Sequence, residues 1–558
     1  GCGLGYHIET MVNRTTIVNA FVVERDPEKF ALSLFTVDWA AICSRFKRRG
    51  HSINFAIGLD TSEESLRDLL ARHLSSSVPF YPFLTIYYNH LADVELARVA
   101  MDVSKDIALI AANWSNYDDQ LIRLKNTQFN VRQGINYLKG GAVEPHSRPL
   151  VVVGSGPSID RRIDSLKAVR QGVVIVSAGT GIRPLLAKGI KPDMHVELDP
   201  SYSVHQQHLD LDQEALKGIT LLAVNEVNPH VPTLFDRTYY FFKSDNAVPG
   251  LLKVRDGSFS GCNPTCTNAA LALGYGLGFR KIFLFGTDYG FVSPEEDHSE
   301  DSVYGERAQT AFAKDFRKRA AERRHSMFPI QSVAGEKIYT RPDFYSARKS
   351  VERLLLGMKA SSGDVEVFNC ADGAEIEGAL WLQGDGFVSE IERLGQSAMA
   401  DLERILEASE RHLDRNAFDT PLPDLFASLS REAALVSRMI KRARLGGRKD
   451  LSLLANELRA VATDIGAGNG RSYTPADICV KQLTHGTLLR FVQVALCHGL
   501  ATDNRHLGQF LKDWEVGFQS LLENLSSHFE GVMSDSRSYE ENPWGRASNR
   551  LPEPGFEG

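Results

Sequence analysis

Seven short segments set the fold of this chain. RPLVVVG, GVVIVSA, MHVELDP, ITLLAVN, TYYFF, KIFLFGTD and VEVFN follow one another between residues 148 and 369. They are rich in β-branched and aromatic residues and largely lack apolar/polar alternation, and helical stretches separate several of them. Strands that are apolar on both faces belong to a mostly parallel sheet covered by helices on both sides. The expected fold class is therefore α/β, with a doubly wound central domain over 148–385. Such sheets bind ligands outside the carboxyl ends of their strands. Here those ends carry Gly154-Ser155-Gly156, Ser177, Asp199, Asn225, Asp288 and Asn369.

The first of these strands breaks into Gly154-Ser155-Gly156-Pro157-Ser158. Small side chains and free amides ahead of a helix suit a phosphate. The same residues also suit a plain strand-to-helix connection with Ser158 as N-cap.

The flanks differ from the centre. The chain has 558 residues, enough for roughly three domains. Residues 1–140 alternate strand-like and helix-like stretches, including the strands TTIVNAFVVERD and SINFAIGLD and a helix opened by the capping box Thr61-x-x-Glu64. A long amphipathic stretch over about 93–138 leads to a linker at Gly140-Gly141 and Pro145. The start on GCGLGYHIE reads as the middle of a strand–turn–helix unit, so an N-terminal piece is expected to be missing. From 386 to 533 the strands stop, and amphipathic helices such as SEIERLGQSAMADLERILEASERHL and FASLSREAALVSRMIKRARL form an all-helical domain. The tail over 534–558, rich in Ser, Asn, Pro and Gly, is expected to be disordered.

Composition narrows the function classes. A formal net charge of −7 argues against a general nucleic-acid binder. No apolar run approaches the ~18 residues of a membrane span. Seven cysteines without framework spacing point to a reducing compartment, the cytoplasm. Cys262 and Cys266 lack the partners of a zinc site and read as core packing.

Four stretches in series carry a resemblance. They are VVVGSGPSID, GIKPDMHVELDP, FSGCNPTCTNAALALGYGLGFRKIFLFGTDYGF (a helix with Pro264 in its first turn, then a strand) and VEVFNCADGAEIEGAL. In this order and spacing the chain resembles the motility-associated-factor (Maf) family of bacterial flagellin glycosyltransferases, most closely over about 150–380. The centre is also similar to bacterial sialyltransferases and to 6-hydroxymethylpterin pyrophosphokinases. The resemblance implies a Rossmann-like N-terminal domain, a sialyltransferase-like centre and a helical C-terminal domain that meets flagellin. It implies transfer of a nonulosonic acid, of pseudaminic or legionaminic type, from its CMP donor to Ser or Thr of flagellin, for flagellar assembly and motility.

Carried over by position, the resemblance places Gly154, Ser155, Gly156, Pro157 and Ser158 on the nucleotide turn, with Ser177 and Asp199 on neighbouring strand ends. Ser260 and Gly261 fall on a second small-residue turn and Asp288 beside them. Asn369, Asp372, Gly373 and Glu375 fall on a late turn. A departing phosphate calls for amide donors, and the acceptor hydroxyl calls for a base. The candidates for that base are His298 and Asp288.

His298 lies among Glu295, Glu296, Asp297, Glu300 and Asp301. Either it is a base or it is an incidental histidine in a solvated acidic loop. The carboxylates offer a possible Mg²⁺ site, although exposed acids more often hold no ion, and no metal ligand is assigned. Gly1, Gly3 and Gly5 with Glu24 match a dinucleotide or S-adenosylmethionine fingerprint whose preceding strand is absent, so a structural domain without cofactor is favoured. His195 reads as a packed histidine. Two further functions compete with the transferase: an ATP- and Mg²⁺-dependent pterin pyrophosphokinase, and an inactive flagellin-binding chaperone.

Overall fold

The computed structural model describes residues 1–15, 17, 19–47, 51–58, 86–90, 94, 97, 101, 115–322, 327–362, 364–394, 401–463 and 472–539. The Thr61–Glu64 capping box lies outside them. Two compact units are present: Gly1–Leu121 with Pro423–Glu530, and Ile122–Leu422 with Gly531–Gly558. These limits differ from the boundaries expected at 140 and 386.

In the first unit, β1 (Asn19–Glu24) and β2 (Ser52–Ile57) pair in parallel. Cys2, Ile8, Val12, Val22, Trp39 and Ile42 form the core beneath them. The unit's other part is helical, with Arg448–Thr463 and Pro475–Ala501 lying wholly inside it. Apolar residues at helical spacing, Leu451, Leu454, Ala455 and Leu458 against Leu488, Leu489, Val492 and Leu496, bury one stripe of each helix. Thr474 and Asp477 cap the second helix reciprocally.

The second unit holds β3 (Ile135–Leu138), β4 (His146–Val153), β5 (Val174–Ala178), β6 (Met194–Glu197), β7 (Thr220–Val224), β8 (Arg237–Phe241), β9 (Phe279–Phe285), β10 (Phe328–Gln331), β11 (Lys337–Thr340), β12 (Glu366–Asn369), β13 (Leu380–Trp381) and β14 (Glu410–Leu413). Ten of these form one sheet in the order β13-β12-β9-β4-β5-β6-β7-β8-β3-β14. All neighbours are parallel except β14 on β3. Every residue of β5, β6 and β7 is buried, as expected of strands covered on both faces. The expected doubly wound sheet is present. From β4 the chain winds one way to β8, then returns to β9 on the other side of β4, so the switch point lies between β4 and β9.

Aromatic packing secures that junction. Phe283 stacks on Phe368 at 4.8 Å, and Phe387 sets its edge on Phe285 at 4.8 Å. Truncating such a ring to alanine costs about 3–5 kcal/mol. Phe387 and Ile391 thus belong to the core of the sheet, beyond the boundary expected at 386.

Local sequence and tertiary pairing disagree at three places. The stretch read as continuously amphipathic contains a helix at Tyr117–Arg132 that ends before β3. The residues ERHL, read as a helix end, form β14 on the sheet edge. The helix expected to contain Pro264 begins at Cys266. At the tail, Ser538 and Tyr539 are buried, while 540–558 lie outside the described residues. No helix among the described residues is long and apolar enough to cross a membrane. All seven cysteines are free.

Candidate active site

The crevice at the carboxyl ends of β4 and β9 is built from interlocking backbones. The amide of Gly154 donates to Phe285 O and that of Gly156 to Gly286 O, each at 2.8 Å. The amide of Ser158 donates to Asp288 Oδ2 at 3.3 Å, and its hydroxyl to the same oxygen at 2.8 Å. Three amides of the turn that were expected to be free for a phosphate are therefore held by the end of β9 and the turn that follows it. Ser158 precedes the Ile159–Ala168 helix but makes no side-chain cap, because its hydroxyl goes to Asp288. A Cβ on Gly156 would lie 2.1 Å from Asp288 Oδ2, so the close approach that requires glycine here is internal.

Asp288 is buried, and burial first, then the charge of Asp372, pushes its carboxyl up to about 6. The late turn packs onto it. The amide of Ala374 donates to Asp288 O at 2.7 Å, and a Cβ on Gly373 would lie 2.2 Å from that oxygen. Asn369 Oδ1 accepts the Ala371 amide at 3.0 Å, and Asp372 pairs with Arg161 at 3.1 Å and with Arg162. Glu375 is exposed on the outer side of this turn.

The loop after β9 docks on the first turn. The Ser299 amide donates to Ser155 O at 2.8 Å, and Ser299 Oγ donates to Asp160 Oδ1 at 2.7 Å. Ser155 Oγ in turn meets Thr180 Oγ1 at 2.8 Å. Docking brings His298 beside the crevice and out of bulk solvent, with its side chain 10% exposed. Its ring stacks on Tyr304 at 4.0 Å, and Nδ1 lies 2.8 Å from Asp297 Oδ1. Arg341 holds the other Asp297 oxygen at 2.6 Å and sits 3.9 Å over the Phe344 ring. Burial pushes the Asp297 carboxyl up, but the hydrogen bonds and charges of His298 and Arg341 outweigh it and hold it low. An ionised aspartate accepts from Nδ1, so in the neutral imidazole Nε2 is the nitrogen with the lone pair.

The other candidates are placed differently. Ser177 is fully buried, with its hydroxyl 2.9 Å from His195 Nδ1 rather than facing the crevice. Asp199 is exposed and lies close enough to act electrostatically on Tyr304. Ser260 and Gly261 are exposed on the turn ahead of the Cys266–Gly276 helix, with Ser260 Oγ on Ser244 Oγ at 2.8 Å. Gly261 has φ +80°, and a Cβ there would meet Leu354 at 2.7 Å, so it is packed against a helix. The helix that follows returns to the crevice: Thr267 lies against Gly154, and Cys266 against Gly179.

Sequence reasoning named Asp297 only as one of five acidic neighbours of His298; it missed Arg341 and Tyr304 as partners of that histidine, and it missed Glu197. Glu197 is buried at the end of β6, and burial first, then Asp199, pushes its carboxyl up to about 7. Its Oε1 accepts the amides of Leu198 at 2.8 Å and Asp199 at 3.1 Å. The acidic loop does not fit Mg²⁺ well, since Asp297, Glu300 and Asp301 already pair with Arg341, Arg307 and Lys188. In the first unit, Glu24 accepts the Cys2 amide at 2.8 Å and the Asp26 amide at 3.1 Å, so the fingerprint acid is spent on the glycine loop itself.

Fold and crevice together define a doubly wound α/β protein with its polar groups gathered at the switch point. Residues 1–112 match the family model for the glycosyltransferase Maf N-terminal domain, and residues 123–294 the model described as 6-hydroxymethylpterin diphosphokinase MptE-like. The solved structure of a Maf glycosyltransferase from Magnetospirillum magneticum AMB-1 is similar in fold, with a TM-score of 0.72 and 20% identity, covering 98% of this chain and 81% of that one. No curated protein matches the sequence. The resemblance to the Maf glycosyltransferases is thereby shown: the chain carries the Maf N-terminal domain followed by the MptE-like domain, and these matches support a glycosyltransferase.

Proposed function

We propose that the chain transfers a nonulosonic acid from a CMP donor to Ser or Thr hydroxyls of flagellin. The observation that carries this reading is the Asp297–His298 pair, held by a loop that docks on the Ser155 carbonyl. An acceptor hydroxyl gives up its proton as it attacks, and a positioned base takes it. In this reading the Nε2 of His298 takes the acceptor proton as the sugar leaves its phosphate. The helix N-terminus at Thr265–Thr267 and the Ser155–Thr180 hydroxyl pair stabilise the departing CMP. The chemistry belongs in the cytoplasm, where CMP-activated sugars and unassembled flagellin meet, and the C-terminal helices offer the surface for flagellin.

The match of residues 123–294 favours a second reading, an ATP-dependent pterin pyrophosphokinase. Thermal stabilisation separates the two. CMP should raise the melting temperature and ATP with Mg²⁺ should not; the reverse pattern supports the kinase.

A further inference from the structure

The sequence offered His195 as no more than a packed residue, yet it opens a second polar cluster under the sheet. His195 and Glu197 are two apart on β6, so their side chains share one face. His208 reaches the same point from the Tyr202–Leu209 helix. The Nε2 atoms of the two histidines are 2.9 Å apart, and Glu197 Oε2 lies 3.9 Å from His195 Nε2. All three residues are buried, and one ligand atom from each lies within 4.8 Å of the others.

The remaining atoms are arranged as in metal sites. His208 Nδ1 lies 2.8 Å from Val204 O, which only accepts, so Nδ1 carries the proton and Nε2 the lone pair of the neutral ring. His195 Nδ1 is held at 2.9 Å by Ser177 Oγ. Outer hydrogen bonds of this kind orient metal-binding imidazoles. Glu197 Oε1 is satisfied by two backbone amides, while Oε2, which accepts no hydrogen bond among the described residues, faces the histidines. A cavity of ≈ 20 Å³ lined by His208, Thr180 and Arg183 adjoins the cluster, room for one water.

We propose that His195 Nε2, His208 Nε2 and Glu197 Oε2 bind a divalent transition-metal ion, zinc by the donor set. The ion ties β6 to the helix that follows it. This site is separate from the His298 loop and does not depend on the glycosyltransferase reading.

The test uses the full chain. Metal content is measured by plasma mass spectrometry after purification without added chelator, alongside Glu197→Gln and His208→Gln. The Gln at 197 keeps an oxygen for the two amides, and circular dichroism establishes that each variant is folded. About one zinc per chain in the parent, lost in both variants, is expected. Stripping the parent with a chelator should lower its melting temperature, with recovery on Zn²⁺ and not on Mg²⁺. Cobalt(II) in place of zinc should give a visible absorption band that the variants lack. A parent that is metal-free and takes up neither Zn²⁺ nor Co²⁺ overturns the proposal, leaving a hydrogen-bonded chain Ser177–His195–His208. Equal metal content in folded parent and variants overturns it as well.

Discussion

Ser158 donates twice to one oxygen of Asp288, from its hydroxyl at 2.8 Å and its amide at 3.3 Å. This contact locks the turn after β4 to the turn after β9. Ser158→Ala should therefore cost about 1–3 kcal/mol, the penalty for a buried acceptor that loses its partner. Urea denaturation measures it, and an unchanged midpoint would show that the contact does not hold the turns.

Asp288 gives this junction a pH signature. Its carboxyl is raised from 3.8 to about 6, so the protonated form is favoured in the folded state. The resulting stability is fully present below about pH 4 and is lost as pH rises through 6. Asp288→Asn should flatten that part of the stability–pH curve. A curve of unchanged slope would remove Asp288 as its source.

Gly156 tests whether small residues here serve the fold. Gly156→Ala forces a Cβ to within 2.1 Å of Asp288 Oδ2 and 2.7 Å of Gly286 O. We expect destabilisation of more than 2 kcal/mol, typical of overpacking against backbone. A variant as stable as the parent would restore the view that the glycine faces a ligand.

The C-terminal helices carry their own acid-sensitive contact. Burial pushes Asp477 up, but hydrogen bonds from Ser428, Thr474 and Arg431 outweigh it and lower its carboxyl to about 2. The stability it contributes is present above 3.8 and lost as pH falls through about 2. Asp477→Ala should cost about 1 kcal/mol at neutral pH, as the loss of a cap does. Thermal melts at pH 7 and pH 2.5 should then converge between variant and parent as the pH falls.

Much of the sheet was legible because buried parallel strands leave unbroken apolar runs, as in VVV of β4 and IFLF of β9. β14 was not, since ERHL is polar and becomes a strand only through its pairing with β3. His298 could be singled out as a histidine in an acidic loop. Its orientation could not, because Arg341, which steadies Asp297, lies 44 residues further on. The glycines of the first turn were visible, but the reason for them was hidden. A glycine that yields to another backbone looks the same in sequence as one that yields to a phosphate.

If Asp297 positions His298, Asp297→Asn should lower the transfer rate while leaving CMP affinity near that of the parent. Calorimetry with CMP supplies the control. A loss of CMP affinity equal to the loss of rate would place Asp297 in donor binding instead.

The most direct measurement is the intact mass of flagellin co-expressed with the parent chain and with His298→Ala. The parent should add whole multiples of a nonulosonic-acid residue, and the variant, slowed by ~10²–10⁴-fold as for loss of a positioned base, should add little or none. Unmodified flagellin with the active parent, or equal modification with His298→Ala, would contradict the assignment.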